Sequence, residues 1–290
     1  SGNNNHGQIY SGRALEFDGV TDYLNCGSDS SLDDVFDGGG TVSVWVNPSS
    51  AGGGGYGRIV TKSSNIRFEV RALSGGKLQL FFAKTFSTTQ GYWITDDAVV
   101  TVGSWSHVVL TYDSDSVSND PTIYVNGISV GLTEGSAPVG TRTTDAASNY
   151  AIGNVYGGTN YFDGMMSNFQ LWNSTFTQAD ATYDYLNPES LALNNSGTAL
   201  TESNLKLWYP MQDGHRGQQS YILDGANTGA VVELVTNGGF DGGTTGWTLQ
   251  APNWAYGSNN ITSSGSGSNQ LAFQTSIFEV GKNYNINFEI

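Results

Sequence analysis

Histidines are few in this 290-residue chain: His6, His107 and His215 are the whole set. None stands in a His-Glu-x-x-His string, a paired metal-ligand spacing or a nucleophile-elbow context. Acid–base cleavage of a glycosidic bond needs two carboxylates flanking it, about 5 Å apart when one of them is the nucleophile. The nearest string, Glu16-Phe17-Asp18, runs on into Gly19-Val20-Thr21 and supplies no second Glu. Cys26 is the only cysteine, so no internal disulfide can form, and it reads as a half-buried thiol beside a strand. What remains is the chemistry of recognition. A saccharide is held when aromatic faces stack on its C–H surface and polar side chains fork onto its hydroxyls. Aromatics in Gly-rich or polar loops suit that role: Tyr56 after Gly52-Gly53-Gly54-Gly55, Tyr92 and Trp93 after Gly91, and Tyr156 and Tyr161 around Gly157-Gly158. Trp93 reads equally as a core residue, whereas Trp45, Trp105 and Trp172 sit in alternating runs and read as packing.

Composition narrows the partners. With 11 Lys and Arg against 26 Asp and Glu, the formal net charge is −15, which repels a phosphate backbone and an anionic membrane surface. Nucleic acid is therefore an unfavoured partner. No run approaches the roughly 18 apolar residues that span a bilayer, so no membrane insertion is expected. The 39 Gly, 12% aromatic and 13% charged residues are poor material for long helices and good material for an all-β fold.

The elements that must position these residues follow from period two. Val42, Val44 and Val46 share one face of TVSVWVNP, with Trp45 on the other; Ile66, Phe68, Val70 and Ala72 alternate with Arg67, Glu69 and Arg71. Gly75-Gly76 then turns the chain into Leu78, Leu80 and Phe82 as a hairpin. A second hairpin is predicted over residues 122–130, where Asn126-Gly127 supplies the two positive φ angles of a type I′ turn. Thr177-Gln-Ala-Asp180 is a capping-box start for one short helix stopped at Asn187-Pro188.

In this order, ALEFDGVTDYLNCG, TVSVWVNP, GSWSHVVLTYD, TIYVNGISV and YFDGMMSNFQLWN resemble the laminin-G-like, concanavalin A-like jelly-roll family over residues 14–185. That resemblance implies an antiparallel jelly-roll β-sandwich over residues 1–187. Residues 188–232 read as a Gly/Asn/Ser-rich connecting segment with a possible strand repeat in LKLWYPMQDG and ILDGANTGA. Residues 233–290, opening ELVTNGGFDGG and ending FEVGKNYNINFEI, resemble the first part of a second, galactose-binding-like carbohydrate-binding β-sandwich. The chain is thus expected to be part of a longer modular protein.

The family resemblance also carries expectations about chemistry. Related glucanases use a Glu-x-Asp-x-x-Glu strand, which this chain lacks, so no hydrolase activity is expected. Such sandwiches often hold Ca2+, a hard cation suited to Asp oxygens, and Asp18 and Asp22 are the candidate ligands. The acidic residue that relatives carry on the last core strand falls here on Ser167 or Asn168, and Asx turns are the alternative role for Asp18 and Asp22. The function implied is non-enzymatic recognition of a cell-surface or extracellular glycan, within a larger extracellular or virion-surface assembly such as a phage fibre whose other modules are its partners. An accessory region of a polysaccharide-degrading enzyme and a purely structural fibre spacer are the alternatives.

Overall fold

The computed structural model describes residues 14–63, 65–73, 77–146, 148–154, 158–188, 190–211, 243–249, 254–257, 260–264 and 271–273. The hairpin turn expected at Gly75-Gly76, the ILDGANTGA string and the ends of the last block lie outside them. By contacts the chain divides into two units, residues 1–228 and 229–290.

The first unit is built on two antiparallel sheets. The seven-stranded sheet contains β1 (Leu15–Asp18), β3 (Gly40–Pro48), β9 (Ser106–Tyr112), β10 (Thr122–Val125), β11 (Ile128–Ser129), β14 (Asp163–Trp172) and β15 (Leu205–Tyr209). Its order is β1-β14-β3-β9-β10-β11. Strand β14 is long enough to serve two partners along one edge. Leu15 to Asp18 pair with its first half, and Leu205 to Tyr209 pair with its second half. The register shifts between Ser167 and Gln170, where Asn168 takes φ 49°. Leu207 and Met211 enter the core, so the sandwich continues beyond residue 187, where the sequence reading ends it.

The eight-stranded sheet runs β12 (Leu132–Ser136), β7 (Gly91–Thr95), β6 (Lys77–Lys84), β5 (Ile66–Ala72), β4 (Tyr56–Lys62), β13 (Tyr150–Ile152) and β2 (Leu24–Asn25), with β8 (Val100–Thr101) beside β6. Period-two alternation decides which side chains meet the other sheet. Val42, Val44 and Val46 of β3 face Val60, Phe68, Val70, Leu80 and Phe82 in one continuous core. The Asn126-Gly127 turn has both φ angles positive, 51° and 76°, and joins β10 to β11 as the sequence predicts.

Alternation also turns two lysines inward. Lys62, Ile66 and Lys84 are cross-strand partners, so both ammonium groups lie on the core side. Lys62 Nζ donates to Leu32 O at 2.6 Å and reaches Asp33 and Asp145, each at 2.7 Å. Lys84 Nζ donates to Thr143 O at 2.9 Å and lies 3.7 Å from Asp145. Asp145 and Asp34 exchange backbone-to-carboxylate bonds of 2.8 Å, which tie the 33–34 loop to the 144–145 loop.

Helix α1 (Gln178–Leu186) starts as expected, because Thr177 and Asp180 form a reciprocal capping box. It covers a second apolar cluster of Val109, Tyr124, Trp172, Phe176 and Ala181. Thr177→Ala removes one cap acceptor and should cost about 1 kcal/mol of stability in urea unfolding. A change below the measurement error would show that the helix is held by packing alone.

The second unit holds two short described ribbons. Thr248–Leu249 pairs Ala272–Phe273, and Trp254–Gly257 pairs Asn260–Ser263, both antiparallel. No helix of the described residues is long and apolar enough to cross a membrane.

Candidate functional site

The five aromatics singled out in the sequence do not form one rim. Tyr56 opens β4 and is 44% exposed. Tyr92 lies half-buried on the outer face of β7. Its neighbour Trp93 must point the opposite way in a pleated strand, and it does: only 1% exposed, it stacks on Phe82 at 6.0 Å and meets Tyr112 at 5.3 Å. Its indole N–H donates to Asp120 at 2.8 Å. Trp93 is a core residue, and the rim role expected for it is corrected. Tyr156 lies outside the described residues. Tyr161 is half-buried in the segment preceding β14. That segment runs against the Gly52 to Gly55 loop, with Gly53 N donating to Tyr161 O at 2.9 Å. A Cβ at Gly53 would come within 2.2 Å of Thr159 O, so this glycine permits a close backbone approach.

Tyr56 and Tyr92 belong instead to one face of the eight-stranded sheet. The register aligns Tyr56 with Arg71, Arg58 with Glu69 and Phe81, and Arg67 with Ala83 and Tyr92. Alternation puts all of these side chains on the sheet face away from the inter-sheet core, where Arg58, Glu69, Phe81 and Ala83 are buried beneath the more exposed Tyr56, Arg67, Arg71 and Tyr92. Phe81 and Tyr92 stack at 5.5 Å with 30° between their planes. The Arg71 guanidinium lies 3.3 Å from the Phe81 ring centroid and 5.1 Å from that of Tyr56, and Arg67 is 5.5 Å from Phe81. Cation–π attraction of this kind is worth about 0.5–2 kcal/mol and fixes flat guanidinium planes against flat rings. Tyr92 is held from the other side by β12, where a Cβ on Gly135 would stand 2.1 Å from its ring.

The charges of this face are unequal. Glu69, fully buried, pairs with Arg58 and accepts from Arg71 Nε at 2.7 Å. Arg67 donates to the Gln90 amide oxygen at 2.6 Å, an uncharged partner. One carboxylate therefore answers three guanidinium groups. Burial, and then repulsion from Arg67 and Arg71, push the Arg58 guanidinium down to about 10. Arg67 and Arg71 are lowered as well, burial again leading. The Nε atoms of Arg58 and Arg67 are buried with no hydrogen-bond acceptor. The Arg-x-Glu-x-Arg alternation was legible in the sequence, but as an ordinary polar face. A cue was available in its arginine content, since so acidic a chain places two of its few cations four residues apart on the same face of one strand.

A second polar group was invisible in the sequence. Ser43, His107 and Asp184 come together beneath α1, with Ser43 Oγ 2.9 Å from His107 Nε2 and 2.5 Å from Asp184. Asp184 lies 3.1 Å from the same Nε2 and accepts from Gln170 at 3.0 Å. The residue types are those of a hydrolytic triad, but the geometry is not. In a triad the serine and the carboxylate hold opposite ring nitrogens. Here both use Nε2, Nδ1 has no hydrogen-bond partner, and the histidine and aspartate are fully buried. The network anchors the helix to the sheet.

The calcium expectation at Asp18 and Asp22 meets a competing role. Asp18 Oδ1 accepts the backbone N–H groups of Val20, Thr21 and Asp22 at 2.7–3.0 Å, and Oδ2 accepts the Thr21 hydroxyl. The backbone bonds from Thr21 and Val20 hold this carboxyl well below the usual carboxylate range. Asp22 accepts in turn from Asp18 N at 3.1 Å. These are Asx-turn bonds that shape the loop. Among the described residues no cluster of three or more His, Cys, Asp or Glu side chains could hold a metal ion.

A sequence profile of the Concanavalin A-like lectin/glucanases superfamily matches residues 18–182. The chain belongs to this superfamily. The match begins at the last residue of β1 and ends within α1, so it takes in both sheets except β15 and nearly all of β1. Solved structures of similar shape include a heptameric SAP-like pentraxin from Limulus polyphemus, at 18% identity, TM-score 0.44, and coverage of 60% of this chain and 83% of that one. A putative carbohydrate binding protein from Bacteroides ovatus gives 18% identity and TM-score 0.46 over 73% of this chain and 55% of its own. Domain 4 of an extracellular arabinanase from Geobacillus stearothermophilus, in complex with arabinotriose, gives 17% identity and TM-score 0.42 over 58% and 74%. A search of curated proteins finds no match. Membership of the superfamily rests on the profile rather than on these superpositions.

Proposed function

We propose that the sandwich is a non-catalytic glycan-recognition module and that it binds on the outer face of the eight-stranded sheet. The observation that carries this reading is the stack of Tyr56, Arg71, Phe81 and Tyr92 beside Arg58 and Glu69. Flat rings for pyranose C–H surfaces and fixed polar groups for hydroxyls are the two elements a sugar site requires. The sheet supplies both on hydrogen-bonded strands, which hold them more rigidly than loops would. The setting that fits is an extracellular or virion-surface protein with further modules, of which residues 233–290 would be a second carbohydrate-binding-like one. Chemistry is not part of the proposal, since the Ser43–His107–Asp184 group is sealed from any substrate.

The test is a glycan array probed with the whole chain, followed by titration of the best binder. Tyr56→Ala should weaken binding about 5- to 30-fold, the size of one lost aromatic contact, and leave the melting temperature nearly unchanged because the ring is exposed. Absence of binding to any glycan would favour a structural spacer and end this reading.

A further inference from the structure

Resting on that reading, we infer that the face takes an acidic saccharide: a carboxylate or sulfate group seated on Arg58, Arg67 and Arg71, with the adjoining ring on Tyr56.

The face carries an excess of positive charge. A neutral sugar would be served by one Arg–Glu pair, since hydroxyls both donate and accept. Here Arg58 and Arg71 share the one carboxylate, Glu69, while Arg67 beside them has only the uncharged Gln90 amide, in a chain whose overall balance is −15. Concentrating positive charge where the arginines repel one another is unfavourable for the free protein unless an anion completes the site. Buried donors point the same way. The Arg58 side chain is only 9% exposed, and its Nε and that of Arg67 lack acceptors. An unmet buried N–H on a charged group is costly, and an oxyanion is the acceptor that satisfies it best.

The residue type adds to this. Arginine presents a planar fork that matches carboxylate and sulfate oxygens two at a time, which lysine cannot do. The forks are already oriented, Arg71 by Phe81, Tyr56 and Glu69, and Arg67 by Gln90 and Phe81. Little side-chain freedom remains to be lost on binding. The arginines also lie among the rings rather than beyond them, so one sugar residue can meet both. Access remains from solvent, because the Arg71 side chain is 26% exposed and Tyr56 is 44% exposed.

The decisive experiment titrates the whole chain calorimetrically with matched pairs. Oligogalacturonate is set against its methyl ester, and a sulfated galactan oligosaccharide against its desulfated form, each at low and high NaCl. The charged member of at least one pair should bind ten-fold or more tightly than its neutral twin, and the advantage should shrink with salt. Preference within the first pair identifies a carboxylate ligand, within the second a sulfate. Arg67→Gln should abolish the preference, and Arg67→Lys should recover only part of it because charge returns without the fork. Arg142→Gln, which alters an arginine paired with Asp37 and Asp115 elsewhere, should leave it intact. Circular dichroism of each variant secures the fold. Equal affinity for charged and neutral twins, or full preference retained in Arg67→Gln, overturns the acidic-ligand inference while glycan recognition stands. No binding to any saccharide overturns both.

Discussion

Trp93→Ala should lower stability by about 3–5 kcal/mol, the range for removing a large aromatic from a core. Its ring fills the space between Phe82 and Tyr112, and the Asp120 carboxylate accepts its N–H, so truncation leaves both a cavity and a bereft acceptor. In a sandwich of this size that loss corresponds to a fall of roughly 6–20 °C in melting temperature. Urea unfolding and calorimetry would read it directly. Trp93→Phe should fall between, because the ring is partly replaced but the N–H is lost. A melting temperature within a degree or two of the parent, coupled with weakened saccharide binding, would return Trp93 to a binding rim and defeat the core assignment.

Asp145→Ala is expected to be comparably severe. Removing its carboxylate takes the paired carboxylate from Lys84 at 3.7 Å and one of two, at 2.7 Å, from Lys62, which keeps Asp33; both ammonium groups lie inside the fold. Breaking a buried ion pair by deleting one partner typically costs about 3–5 kcal/mol, because the remaining charge stays desolvated and unpaired. Burial already pushes the Lys84 ammonium below its ordinary value, with Asp145 the first of the groups that oppose the shift. Losing Asp145 removes that opposition, so Lys84 should titrate lower still. The loop tie to Asp34 is lost as well. If Asp145→Ala unfolds at the same urea concentration as the parent, Asp33 and the carbonyl oxygens of Leu32 and Thr143 suffice for the lysines.

Local rules reached far into this fold. Alternation of Val42, Val44 and Val46 placed the core side of β3, Asn126-Gly127 marked the β10–β11 hairpin, and Thr177 with Asp180 marked the start of α1. Each depends on backbone geometry within a few residues, which is why it could be read without knowing the neighbours. Resemblance of the ordered strand strings to the laminin-G-like family likewise agreed with the profile match. The binding face was only half legible. Period two puts Arg67, Glu69 and Arg71 on one side of β5, but it cannot tell which residues of β4, β6 and β7 stand beside them.

Strand order and register decided that. They brought Tyr56, Arg58, Phe81 and Tyr92 to the arginines and sent Trp93 to the interior, although Tyr92 and Trp93 share the same Gly-rich context in sequence. They also assembled Ser43, His107 and Asp184 across separations of 64 and 77 residues, and brought β15 to the free half of an edge of β14. The sequence by itself determined the all-β class, the alternating faces, the turn and the helix cap, because these are properties of a short stretch of backbone. Tertiary structure alone decided which faces meet, since a contact between distant strands depends on the packing of the whole sandwich and leaves no mark in the spacing of nearby residues.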